Sequence, residues 1–190
     1  MMAEIAQMVE DACARDSNIF GYGIWTHHIQ QVAENARRLA ELFGADAEIV
    51  ELAAWLHDYA SVKDASMIEE HHIHGALLAE EVLERYQLPG ATIEAVKHCI
   101  ETHRGSVPLE RRSLEANCLA DADALTHIKS APALLHLAYV KRGMGIDEGA
   151  DWVRAKLTRS WNKLSPAVQD LAWDDYRSSM QTLGGDVPPA

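Results

Sequence analysis

The chain has 190 residues and only three cysteines, Cys13, Cys99 and Cys118. They are odd in number, scattered and without a Cys-x-x-Cys pair, which excludes a disulfide framework and points to a reducing compartment. Eleven glycines and six prolines interrupt the chain too rarely to prevent long helices. No segment alternates apolar and polar residues as a half-buried strand does. No apolar run approaches the ~20 residues that span a bilayer. The first 16 residues, MMAEIAQMVEDACARD, carry acids where a secretory leader carries lysines. A cytoplasmic protein is expected. Cations are also scarce, with 17 Lys and Arg against 29 Asp and Glu and a formal net charge of −12. That balance excludes the basic footprint of a nucleic-acid binder and disfavours an anionic membrane surface.

What is present is helical periodicity. Hydrophobic residues make up 48% and charged residues 24%, so the chain folds rather than remaining disordered. A chain of this size buries about 70% of its unfolded surface, enough for a core without disulfide or zinc support. The spacing predicts a short helix over residues 3–14, a loop from Ser17 to Gly23, and a long helix from Ile24 to Phe43 stopped by Gly44. Asp46 caps a segment, IVELAAWLHDYA, that is apolar nearly all round and is expected at the centre of the fold. Further helices are predicted over about 71–86, 91–103, 110–130 and 132–140, with two more starting at Asp147 and at Ser165-Pro166. The expectation is an all-α bundle of eight or nine helices. Its parts are an N-terminal helix and loop (1–21), a central unit (22–130) and a C-terminal helical extension (131–190). The tail Gly184 to Ala190 is expected to fray.

Histidine is the unusual count: of ten, nine lie between His27 and His127. Polar residues also recur where core is expected. His57-Asp58 ends the most apolar helix. Burying a lone carboxylate there costs several kcal/mol, roughly, unless the helix emerges into water or a cation is bound. In LEANCLADADAL, Asp121 shares a helical stripe with Leu114, Cys118 and Leu125 and is expected to point inward. Asp123, two residues on, is expected at a helix edge. His28 opens the long helix on the side of Val32 and Asn35, with His27 as the alternative. Three inward polar sites on three apolar helices are most economically explained by a shared metal.

His28 in H-x-x-x-V, His57-Asp58 in L-H-D and Asp121 in L-A-D-A-D-A-L together resemble the HD superfamily of metal-dependent phosphohydrolases, over roughly residues 22–130. The resemblance implies that His28, His57, Asp58 and Asp121 ligate a metal. Two imidazoles and two carboxylates suit a first-row divalent ion such as Mn, Fe, Co or Ni. Some branches of the superfamily add two histidines and bind a second metal, in patterns like H-x-x-x-G-A and I-x-x-H. His71 with Gly75-Ala76 fits the first, and Ile100 with His103 fits the second. A glycine at position 75 would let a neighbouring helix approach closely. The alternative for His71, His72 and His74 is a solvated helix start, and for His103 a C-terminal helix cap. His98 and His127 are read as structural.

One or two metals per chain are therefore expected. The implied activity is hydrolysis of a phosphomonoester, phosphodiester or phosphoanhydride in a small, nucleotide-like metabolite. Asp58 is expected to orient the attacking water, and Lys63 and Arg104 to contact substrate phosphate. The chain lacks the lysine that the dinucleoside tetraphosphate hydrolases place three residues after His-Asp, and Lys63 comes five after. Two other classes stay open: a di-iron HD-type oxygenase and a non-catalytic metal-binding sensor. A homodimer is possible. The tryptophan-bearing stripes of residues 131–190 are expected to form core, subunit contact or the lining of a pocket.

Overall fold

A computed structural model describes residues 1–107 and 109–185, so the expected fraying of the tail concerns, from residue 186 on, positions outside the described residues. Every regular element among the described residues is helical: α1 (Met2–Cys13), α2 (Gln30–Phe43), α3 (Ala47–Leu56), α4 (Tyr59–Lys63), α5 (His71–Arg85), α6 (Gly90–Thr102), α7 (Leu114–Lys129), α8 (Ala131–His136), α9 (Ile146–Lys163) and α10 (Pro166–Thr182). The all-α expectation holds. The sequence pattern ran α3 through to Ala60, whereas the helix stops at Leu56 and α4 starts anew at Tyr59. The His-Asp pair occupies the break, and Asp58 leaves helical geometry with φ −108° and ψ 8°.

Local chemistry sets these boundaries. The Asp46 carboxylate accepts from the Glu48 and Ile49 amides at 3.0 and 3.3 Å and caps α3. α7 begins at Leu114 rather than near 110, because Ser113 caps it by accepting from the Ala116 amide at 3.1 Å. Gly44 ends α2 in the left-handed conformation, φ 76°, where a side chain would be strained. α2 is preceded by a π-helical turn, Trp25–Ile29, which carries His28 and stacks Trp25 on Trp55 of α3 at 5.4 Å. Such wide turns recur at functional sites.

α7 is the most enclosed element. Its residues from Leu119 to Thr126 are all buried, and it packs against α2, α3, α6, α9 and α10. The alanines at 116, 120, 122 and 124 let those helices close on several sides at once. α5 and α6 form an antiparallel pair, and Gly75 brings α5 onto the end of α3. A Cβ there would lie 3.3 Å from the His57 carbonyl oxygen and 3.2 Å from Ile100 Cγ2. Gly149 does the same for α9: a Cβ would meet Tyr139 Cε1 at 2.3 Å, well inside contact distance.

Gly149→Ala is therefore expected to destabilise the fold by about 1–3 kcal/mol, the usual cost of overpacking. Gly90→Ala, where a Cβ meets nothing within 4 Å, should be neutral or stabilising. Urea denaturation of the two variants checks this.

Candidate metal centre and cavity

Five segments converge on one point. The π-turn brings His28, the α3–α4 break brings His57 and Asp58, the start of α5 brings His71, and the end of α6 brings His103. α7 supplies Asp123 and His127. His57 and His103 each follow the last helical residue of their helix, where carbonyls lack intrahelical partners. Both use that position alike. His57 Nδ1 lies 2.7 Å from the Ala54 carbonyl oxygen and His103 Nδ1 lies 2.6 Å from that of Ile100. His71 Nδ1 repeats the pattern with Ile68, at 2.8 Å.

A carbonyl oxygen only accepts, so each Nδ1 carries the proton and each Nε2 presents a lone pair. Those lone pairs face other imidazole nitrogens. His71 Nε2 lies 3.3 Å from His103 Nε2, and His57 Nε2 lies 3.2 Å from His28 Nε2. The carboxylates complete the sets. His28 Nε2 is 3.2 Å from Asp58 Oδ2 and 3.5 Å from Asp123 Oδ1. His57 Nε2 is 3.5 Å from Asp58 Oδ2, and His71 Nε2 is 3.6 Å from Asp58 Oδ1. Asp58 thus turns one oxygen to each imidazole pair. The donor atoms of His28, His57 and Asp58, and those of Asp58, His71 and His103, each lie within 4.8 Å of one another.

Burial opposes protonation of two of these imidazoles. Burial pushes the His57 imidazole below its ordinary pKa. Burial and the neighbouring His57 push His103 down to about 3. Burial opposes ionisation of Asp58, but His57, His28 and His71 overcome it and hold the carboxyl well below the usual range. Imidazole nitrogens gathered around an ionised carboxylate form an environment that a divalent cation satisfies. The mixed N/O donor set is consistent with a divalent metal ion.

The carboxylate from α7 is not the one expected from the stripe. Asp121 turns to the other side of the helix, where it accepts from the Ser165 amide at 2.8 Å and the Ser165 hydroxyl at 2.6 Å, tying the start of α10 to α7. Asp123, expected at a helix edge, reaches the cluster. The stripe rule presumes one buried face, and α7 is buried around its circumference, so both aspartates point inward to different partners. The Lys163 ammonium binds the Asp123 carboxylate and donates to the His103 carbonyl oxygen at 3.1 Å. His127, read as structural, stacks on His28 at 4.9 Å and approaches Asp123 at 3.5 Å and the Ser160 hydroxyl at 3.4 Å. His27 is exposed, and His72 and His74 take no part in the ligand groups.

The cluster opens into a cavity of about 1200 Å³. Its wall inverts the charge of the chain: it holds seven of the 17 Lys and Arg residues but only three of the 29 acids, and two of those three are Asp58 and Asp123. Arg104 lines it, held by the Ser106 hydroxyl at 2.6 Å and by the Glu69 carbonyl oxygen. Lys63 does not. It is exposed, and its ammonium sits 5.6 Å over the Tyr59 ring. Lys156, Arg159 and Lys163 of α9 take that place. Their spacing of three and four residues was visible in the sequence, but nothing in it linked α9 to a site more than 20 residues upstream.

The HD-domain family profile matches residues 25–128, more than half of the chain, and the chain belongs to that family. Bacillus subtilis YpgQ in complex with ADP has a similar fold, with a TM-score of 0.70 at 22% identity, over 97% of this chain and 94% of that one. The predicted HD-superfamily hydrolase of an uncultured Thermotogales bacterium matches with a TM-score of 0.64 at 22% identity, over 96% and 88%. An HD-superfamily hydrolase of Bacillus thuringiensis matches with 0.67 at 19%, over 96% and 93%. The likeness is one of fold, and its extent takes in α8, α9 and α10 beyond the HD profile.

Asp123→Ala is expected to lower bound manganese per chain sharply, measured by elemental analysis of the folded variant. Asp121→Ala should keep its metal and lose about 1–3 kcal/mol of stability, from the two hydrogen bonds to Ser165. Loss of metal from Asp121→Ala, with retention in Asp123→Ala, would reverse the assignment.

Proposed function

We propose that the chain is a metal-dependent phosphohydrolase acting on a small, nucleotide-like phosphorylated metabolite. The observation that carries this reading is the cavity wall, cationic in a chain of net charge −12 and adjoining the His/Asp cluster. An anionic substrate is what such a wall attracts. The ADP held by YpgQ, whose fold is similar, agrees with it.

In this reading His28, His57, Asp58 and Asp123 hold one ion, and Asp58, His71 and His103 hold a second. What the bound ions supply is a water of lowered pKa and an offset for charge on the phosphoryl oxygens. Asp58 is the residue common to both sets and would orient the attacking water. The three carbonyl-anchored imidazoles keep their tautomer and direction fixed, so the ligand cage needs little reorganisation. Arg104, Lys156 and Arg159 take the substrate's phosphate oxygens. Burial lowers the Lys156 pKa against the pull of Asp123 and Asp58, and a bound phosphate would further favour the ammonium. Lys163 offsets the second oxygen of Asp123 and ties it to the backbone of His103.

The six-residue His/Asp set also meets the ligand requirement of the di-iron oxygenases, which keeps that reading as the second. The cationic wall favours the first, since oxygenation by itself calls for no anion. One assay separates them. Chelated protein is reloaded with Mn, Co, Ni or Ca and given a panel of nucleotides, with and without dioxygen. Phosphate or pyrophosphate release is expected with Mn, Co or Ni and to be indifferent to dioxygen. Full recovery with Ca alone would contradict an imidazole-containing site, because calcium prefers all-oxygen shells. Turnover only in dioxygen would establish the oxygenase. Metal binding without turnover across the panel would leave a sensor.

A further inference from the structure

The cavity has a second end, away from the His/Asp cluster. On α9, Trp152, Lys156, Arg159 and Lys163 line the cavity. Their positions fall within about 60° of one another around a helix of 3.6 residues per turn. The stripe runs beside the buried one formed by Gly149, Val153, Leu157 and Ser160, which faces the core. Lys163 marks the cluster end, through its contacts with Asp123 and His103. Trp152 lies eleven residues earlier, about 16 Å along the axis at 1.5 Å per residue. There Arg142 lays its guanidinium over the Trp152 ring, 4.5 Å from the centroid. Arg142 is held in place: its amide donates to the Leu137 carbonyl oxygen at 3.0 Å, and Gly143 follows in the left-handed conformation at φ 65°. The wall therefore changes character along its length, from metal ligands through cations to a flat, stacked cation and aromatic.

We propose that the Arg142–Trp152 pair is a stacking shelf for the planar base of a nucleoside di- or triphosphate, whose phosphates run along Lys156 and Arg159 toward the His/Asp cluster. This rests on the phosphohydrolase reading and adds which end of the ligand goes where. A guanidinium backed by an indole is rigid and planar, and bases stack on such planes with little regard to sequence of ring substituents. A bare ammonium supplies charge without a plane. The C-terminal helices thereby distinguish a nucleotide from a phosphate chain of the same charge, and the HD unit supplies the chemistry.

The test is equilibrium binding to the metal-free, full-length protein by calorimetry, with ADP and with inorganic pyrophosphate. Wild type is expected to bind ADP at least tenfold more tightly than pyrophosphate. Arg142→Lys, which keeps the charge and removes the plane, should weaken ADP about tenfold and leave pyrophosphate within twofold. Trp152→Leu should do the same, and circular dichroism confirms that it folds. Equal weakening of both ligands by Arg142→Lys would make Arg142 a phosphate contact and overturn the shelf. ADP affinity unchanged in both variants, or wild-type ADP binding no tighter than pyrophosphate, would also overturn it while leaving the anionic cavity intact. Wild type binding neither ligand would sink the shelf and the phosphohydrolase reading together.

Discussion

The structure turns on a conflict of lone pairs. Three imidazoles give their Nδ1 protons to backbone carbonyls at 2.6–2.8 Å, which leaves their Nε2 atoms as acceptors. Those atoms then face other imidazoles at 3.2–3.3 Å with an ionised Asp58 between the two pairs. Burial opposes protonation of His57 and His103, so their Nε2 atoms remain acceptors. A divalent cation satisfies such an arrangement without moving the side chains. The helix ends are what make the conflict possible, because only there are carbonyls free to lock a histidine ring.

The rest of the fold serves that geometry. α3 breaks at His57-Asp58, so two successive residues both reach the centre. Gly75 lets α5 close on the carbonyl of His57 and so carries His71 to within reach of His103. The alanine-rich α7 admits neighbours on several sides and presents aspartates to two of them. α9 then roofs the cluster with cations, which lets a protein of net charge −12 offer a basic wall to a ligand.

The sequence showed most of the fold and half of the α7 question. Helix periodicity placed nearly every element, and the apolar surroundings of His28 and of His57-Asp58 exposed them as misfits that needed a partner. Gly75, flagged for close helix approach, does bring two helices together. What misled was the assumption of a single buried face. It chose Asp121, whose burial is satisfied by Ser165, a residue 44 positions away that no local pattern connects to it. The lysines and arginine of α9 were missed for a related reason. An amphipathic stripe of cations looks like a solvated face until the tertiary fold turns it toward a cavity. Lys63 shows the converse, a cation near the His-Asp pair in sequence and on the surface in space.

Crystals of the protein grown or soaked in manganese, measured at the manganese absorption edge, test the central claim most directly. Two anomalous peaks are predicted, on either side of the Asp58 carboxylate, one beside His28, His57 and Asp123 and the other beside His71 and His103. A peak at Asp121 and Ser165, or no peak within reach of the opposed imidazoles, would contradict the account.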